Sequence, residues 1–210
     1  MQTTLLLIRH GQTPWNALGK IQGCTDIELE NEGRLQAQLL AEKLSGNFSA
    51  VYTSPLKRAH ETASILANSA SLYPVDVPAL REINFGLWEG LTFKEVQEKY
   101  PEAYSCFKSD EIQAPLCSGD GSILNCSKRA KACILDLVKV HPGETIVTVS
   151  HGGLIKSALI GLFGFKMTMY HQISLGNTCI TTIRFTAHLT PILMGLNDTS
   201  HLDSKEVCCI

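Results

Sequence analysis

Thr3-Thr4-Leu5-Leu6-Leu7-Ile8-Arg9-His10-Gly11 is a short apolar run that stops abruptly at a cationic pair and a glycine. Its brevity and the glycine stop identify a buried strand. The same arrangement recurs twice. Ala50 to Thr53 is strand-like and runs into Ser54-Pro55-Leu56-Lys57-Arg58, and Thr145 to Val149 runs into Ser150-His151-Gly152-Gly153. Each of these strands ends in groups that carry, or can carry, positive charge. In open α/β sheets the ligand crevice lies beyond the carboxyl ends of the strands, so these groups are placed to converge.

The stretches between the strands have helical spacing. Glu32 to Leu44 puts Ala37, Leu40, Ala41 and Leu44 on one stripe, with Gly46 as a stop. Ser54-Pro55 reads as an N-cap followed by proline at the first helical position, opening a helix to about Ala67. Tyr73 to Gly90 is irregular, and Thr92 to Tyr100 is a short helix closed by Pro101. Ser109 to Gly121 has loop chemistry. Ile123, Cys126, Ala130, Cys133, Leu137 and Val140 recur at helical spacing, which assigns both cysteines to the core, and Ile155, Ala158, Leu159 and Leu162 trace one more helix face. Asn177 to Phe185 and Leu189 to Leu196 read as two final strands. Strands alternating with helices predict an α/β three-layer sandwich, a central mostly parallel sheet flanked by helices.

The chain has 210 residues, 44% of them hydrophobic, and 18 basic against 20 acidic side chains leave a net charge of -2. That length predicts one domain over 1-210, with a covering segment around 92-121. A near-neutral balance gives no global field toward nucleic acid or a membrane, so any polyanion site must be local. The apolar run at Leu5 to Ile8 is too short for a signal-peptide core or a membrane span, and a cytoplasmic location is expected. Eight cysteines without a C-x-x-C pair give neither a disulfide scaffold nor a zinc site. Val207-Cys208-Cys209-Ile210 is not a prenylation box, because that box needs cysteine at 207, so Cys208 and Cys209 read as a tail. N-x-S/T matches begin at Asn47, Asn125 and Asn197, and carry little weight without a secretory signal.

Arg58 falls in the first turn of its predicted helix, where the dipole disfavours a cation and the free N–H groups favour an anion. Gly11 and Gly152-Gly153 let backbone approach a compact oxyanion closely. The local chemistry suggests a phosphate pocket without a metal. Taken singly each residue has a bland reading: Arg9-His10 as a strand end, Lys57-Arg58 as a solvated helix end, His151 as a satisfied turn histidine. Three such groups after three separate strands favour a site.

The set Arg9-His10-Gly11-Gln12-Thr13-Pro14-Trp15-Asn16, then Gln22-Gly23, Ser54-Pro55-Leu56-Lys57-Arg58-Ala59-His60-Glu61-Thr62, Leu80-Arg81-Glu82 with Gly86-Leu87-Trp88-Glu89-Gly90, and Ser150-His151-Gly152-Gly153 resembles the histidine phosphatase superfamily, the phosphoglycerate mutase-like family. The resemblance implies phosphomonoester hydrolysis without metal or cofactor. In it His10 is the nucleophile that becomes phosphohistidine, Arg9, Arg58 and His151 clamp the phosphate with Asn16 as amide donor, and Glu82 is the proton donor. The residues alone do not choose Glu82 over Glu89. An imidazole attacks only when the attacking nitrogen is unprotonated, so its other nitrogen must donate to an acceptor that the sequence does not reveal. His10 is expected neutral and His151 cationic beside a bound dianion. Gln22 and Gly23 are expected to touch substrate beyond the phosphate, with Gly11 and Gly152 lining its path.

Two departures from the family pattern stand out. Gln12 replaces the usual glutamate and removes a charge near the pocket rim, and Gly119-Asp120-Gly121-Ser122 replaces Gly-Glu-Ser before the long helix. The runner-up activity is a bisphosphoglycerate-dependent mutase. A mutase needs extra cations in its covering segment, and residues 109 to 121 contain no Lys or Arg, which favours hydrolysis. Relatives of this size include broad phosphatases and alpha-ribazole phosphatases. A noncatalytic phosphate-binding module is the third possibility. The expected partner is a small phosphorylated metabolite, and the chain is expected to be a monomer or homodimer.

Overall fold

A computed structural model describes residues 1 to 202; the tail that carries Cys208 and Cys209 lies outside them. Six strands form one sheet: β1 Thr3–Arg9, β2 Ala50–Thr53, β3 Val75–Asp76, β4 Thr145–Ser150, β5 Ile180–Phe185 and β6 Pro191–Asp198. Their spatial order is β3-β2-β4-β1-β5-β6. The β1–β4, β2–β4 and β2–β3 pairs are parallel, whereas β1–β5 and β5–β6 are antiparallel. The sheet is therefore mixed, and β5 alone runs against the other five strands.

Among the described residues seven α-helices accompany the sheet: α1 Pro14–Ala17, α2 Asn31–Leu44, α3 Lys57–Ser69, α4 Phe93–Lys99, α5 Pro101–Ser109, α6 Ile123–Lys139 and α7 Gly152–Phe163. The pleat of β1 divides its residues between two cores. Leu5 and Leu7 join Ile123, Ile134, Leu154 and Ala158 beneath α6 and α7, whereas Ile8 joins Leu40, Ala59 and Leu66 beneath α2 and α3. Apolar burial on both faces holds the three layers together and fixes the strand register, since a one-residue slip would turn each side chain to the opposite face.

Local expectations differ from the structure at several points. Ser54 does not cap α3. The helix starts at Lys57 with Leu56 as its N-cap, and the Ser54 hydroxyl instead accepts the Leu56 N–H at 3.3 Å. Pro101 closes α4 and also opens α5, occupying a first-turn position whose N–H would be unpaired in any case. Phe107 of α5 is buried edge-on against Trp88, with ring centroids 5.3 Å apart, and so ties α5 into the main core. Ser45, rather than Gly46, takes the first left-handed position after α2. Cys126 is buried, but Cys133 is only half-buried. The irregular region holds β3 and two short 3₁₀ turns at Pro78–Leu80 and Gly86–Trp88. No helix among the described residues is long and apolar enough to cross a membrane.

Candidate active site

A cavity of about 180 Å³ opens at the carboxyl ends of β1, β2 and β4, with Arg9, His10 and Arg58 in its wall. His10 is buried, and its Nδ1 lies 2.7 Å from the carbonyl oxygen of Gly11. A carbonyl can only accept, so Nδ1 carries the hydrogen and Nε2 keeps its lone pair. Arg58 donates from Nε to that lone pair at 3.2 Å. Its two other nitrogens donate to the carbonyls of Thr25 and Gly23 at 2.9 and 2.7 Å, which fixes the guanidinium plane against the loop after α1.

Arg9 donates from one terminal nitrogen to the Leu175 carbonyl at 2.6 Å, and its Nε is buried without a partner. His151 lies behind His10, with ring centroids 5.2 Å apart. Its Nε2 meets the Ser54 hydroxyl at 2.7 Å, and its Nδ1 is buried without a partner. Orphaned buried polar atoms cost about 1–3 kcal/mol each; a bound anion could reach the Arg9 group, which lines the cavity, whereas His151 lies outside the lining. Burial, the Arg58 charge and the Arg9 charge hold His10 well below its ordinary range. Burial and Arg58, then His10 and Arg9, do the same for His151. The protein's own groups thus favour the neutral form of both imidazoles, and the cationic His151 expected from the sequence concerns the state with a bound dianion.

The choice between the two glutamates follows from geometry. Glu89 accepts from the backbone N–H groups of Cys24 and Phe85 through one oxygen, and from the Thr25 N–H and hydroxyl through the other. It is spent on shaping the loop and does not line the cavity. Glu82 does line the cavity. Its carboxyl accepts from the N–H groups of Gly153 at 2.9 Å, Leu154 at 2.8 Å and Ile83 at 2.9 Å, so the first turn of α7 holds it in place. Arg129 secures the backbone leading to it, donating to the Ala79 and Arg81 carbonyls, both at 2.8 Å.

Asn16, Gln22, Gly23 and Gly152 line the cavity. Asn16 lies in the α1 capping box and spends its carbonyl on Thr13 and Asn177, which leaves its NH2 for a ligand. Gly11 lies outside the lining. A Cβ there would run into the carbonyl oxygen of Gly33, so this glycine permits close packing against α2, and its own carbonyl orients His10. Gln12 is also away from the cavity, bonded to Glu30 and Gln36 rather than at the rim. Lys57 does not converge with Arg58. It is exposed and paired with Glu28 at 2.8 Å, so its bland reading holds.

Sequence reasoning missed Lys20, Phe93, Lys156 and Tyr170, which complete the mouth of the cavity. Lys156 follows Gly152 by four residues on a helix already read as helical, a signal that could have placed it on the same face. Tyr170 had no such signal. It reaches the site from the 3₁₀ segment Met167–His171. Gly119 and Gly121, both at positive φ, shape the loop before α6, and Ser122 caps that helix by accepting the Asn125 N–H at 3.2 Å. Asp120 pairs with Arg129 at 3.3 Å. Among the described residues no group of three or more His, Cys, Asp or Glu is placed to hold a metal ion.

A mixed α/β sheet whose strand ends present two guanidiniums and the His10 imidazole to one cavity beside a helix-held carboxyl, with His151 packed against His10 outside the lining, defines a class of oxyanion-handling α/β proteins. The family model for the histidine phosphatase superfamily (branch 1) matches residues 5–199, and the chain belongs to that family. A phosphoserine phosphatase from Entamoeba histolytica, solved with phosphoserine and separately with 3-phosphoglyceric acid, is 46% identical with a TM-score of 0.89, covering 95% of this chain and 99% of its own. Phosphoserine phosphatase 1 of Hydrogenobacter thermophilus is 32% identical over 199 residues, 94% of this chain and 93% of that protein. A phosphoglycerate mutase-like protein from Arabidopsis thaliana is 41% identical over 156 residues, 73% of this chain and 68% of that protein.

Proposed function

We propose that this chain hydrolyses small phosphomonoesters, with phosphoserine as the leading substrate, through a phosphohistidine on His10 and without a metal. The observation that carries this reading is the convergence of the His10 lone pair, two guanidiniums and the Glu82 carboxyl on one cavity. The two phosphoserine phosphatases named above support hydrolysis over mutase chemistry.

In the first half-reaction Nε2 of His10 attacks phosphorus as the P–O ester bond breaks. The departing alkoxide takes the proton of protonated Glu82. Arg9, Arg58 and His151 hold the charge that develops on the equatorial oxygens, and preorganised donors are the main catalytic contribution in phosphoryl transfer. In the second half-reaction water attacks the phosphoenzyme and gives its proton to Glu82. The N–P bond then breaks with its electron pair returning to Nε2, and inorganic phosphate leaves.

Purified protein incubated with phosphoserine and excess chelator should release inorganic phosphate and serine. Bisphosphate-primed interconversion of the two monophosphoglycerates, faster than phosphate release, would replace this reading with the mutase. Binding of phosphate without turnover of any ester across pH 5 to 9 would leave only a phosphate-binding module.

A further inference from the structure

Arg9 and Arg58 already match the two charges of a phosphomonoester dianion, and the cavity mouth carries two further cations, Lys20 and Lys156. The segment from 109 to 121 supplies neither. Lys20 comes from the loop after α1, and Lys156 comes from α7. Among the described residues neither has a carboxylate within ion-pair distance. Lys20 has its ammonium 5.9 Å from the Trp15 ring centroid, and Lys156 has its own 5.0 Å from that of Tyr170.

Lys156 is the better placed of the two. It is half-buried on the helix whose first turn anchors Glu82, and it stands four residues beyond Gly152, which lies against Arg9. Residues four apart share a helix face and are separated by roughly 6 Å along the axis. Lys156 therefore shares the cavity wall with Arg9 and Arg58, its Cα about one turn further along the helix than Gly152. Burial and the nearby Arg9 charge lower the pKa of Lys156 and the Glu82 charge opposes them in part, but among the described residues no carboxylate stands within ion-pair distance as a direct counter-ion. A second anionic group on the ligand would provide one.

We propose that Lys156 binds a carboxylate on the leaving group and so makes the site select phosphorylated carboxylic acids over phosphate esters that lack a carboxylate. The proposal rests on the phosphomonoesterase reading above and adds the residue that reads the rest of the substrate. Its alternative is a purely local role for the lysine as a packing partner of Tyr170.

Phosphoserine and phosphoethanolamine differ only in the carboxylate, which makes their ratio of kcat/KM the appropriate readout, with p-nitrophenyl phosphate turnover reporting the reaction itself. Wild type should prefer phosphoserine. Lys156→Met should reduce that preference by about tenfold or more, mainly through a raised KM for phosphoserine, and Lys156→Arg should recover most of it. An unchanged ratio in Lys156→Met, or no wild-type preference, overturns the proposal while leaving the hydrolase intact. Failure of Lys156→Arg to recover more preference than Lys156→Met also counts against it, because a local packing role does not require the charge. Absence of turnover on all three esters in wild type would instead sink the phosphomonoesterase reading, and this proposal with it.

Discussion

The Nε of Arg58 lies 3.2 Å from Nε2 of His10. A guanidinium has hydrogens to give and no lone pair to offer, so the pairing leaves the lone pair of His10 on Nε2 and sets a cation beside it, where the proposed reaction would form its N–P bond.

The covalent adduct should accordingly be on Nε2 and not on Nδ1. Alkaline quenching of wild type with labelled ester should preserve a phosphohistidine whose isomer is assigned by NMR, and acid quenching should lose it. His10→Ala should abolish the label and lower turnover by about a thousandfold or more. Label on Nδ1 would show that the ring is inverted relative to the Gly11 carbonyl.

Removing the proton of Glu82 should matter only where the leaving group needs it. Glu82→Gln should slow alkyl phosphates by about 10²–10⁴-fold and p-nitrophenyl phosphate far less, because nitrophenolate leaves without protonation. Equal losses on both esters would reassign Glu82 to positioning.

Gly153 is the glycine whose substitution probes that carboxyl from behind. A Cβ there would come within 2.6 Å of Glu82 Oε1 and 2.9 Å of the Tyr170 hydroxyl. Gly153→Ala should lower kcat on alkyl phosphates while the fold survives, read from steady-state kinetics beside a thermal melt. The corresponding change at Gly11 meets the backbone of Gly33, and Gly11→Ala should cost stability instead, by about 1–3 kcal/mol.

The depressed pKa values of His10 and His151 set the direction of the pH dependence. Both rings stay neutral in the folded state below about 6.5, where the unfolded chain begins to take up protons. The unfolded state then binds more protons than the native one, so stability falls as pH drops from about 6.5 toward the folded-state values. The thermal midpoint should decline over that range, and His151→Asn should flatten the decline. Inorganic phosphate should restore stability, since a bound dianion favours protonated His151.

Much of this architecture is legible in the sequence, because a strand that ends in a charged pair states both its burial and its exit point. Arg9, His10, Arg58 and His151 are adjacent in space since β1, β2 and β4 are neighbours in the sheet, and strand-helix alternation implies such an arrangement. The boundaries were less legible where one residue had two uses. Ser54 looks like a cap, but tertiary contact commits its hydroxyl to His151, and Pro101 looks like a stop, yet also starts a helix. Glu82 and Glu89 carry the same chemistry in one irregular stretch. Only the fold discloses that Glu89 faces the Gly23 loop and Glu82 the cavity. Gly11 packs against Gly33 instead of lining the cavity, because glycine marks close approach without naming what approaches.

The acceptor that sets the proton on His10 is a main-chain oxygen. No codon change can delete it in the way that a supporting aspartate can be deleted, so the reactive ring form is inherited from the path of the polypeptide. Variants that disturb it will therefore be those that bend the chain between β1 and α1, including changes at Gly33 or Thr62 that never meet the ester.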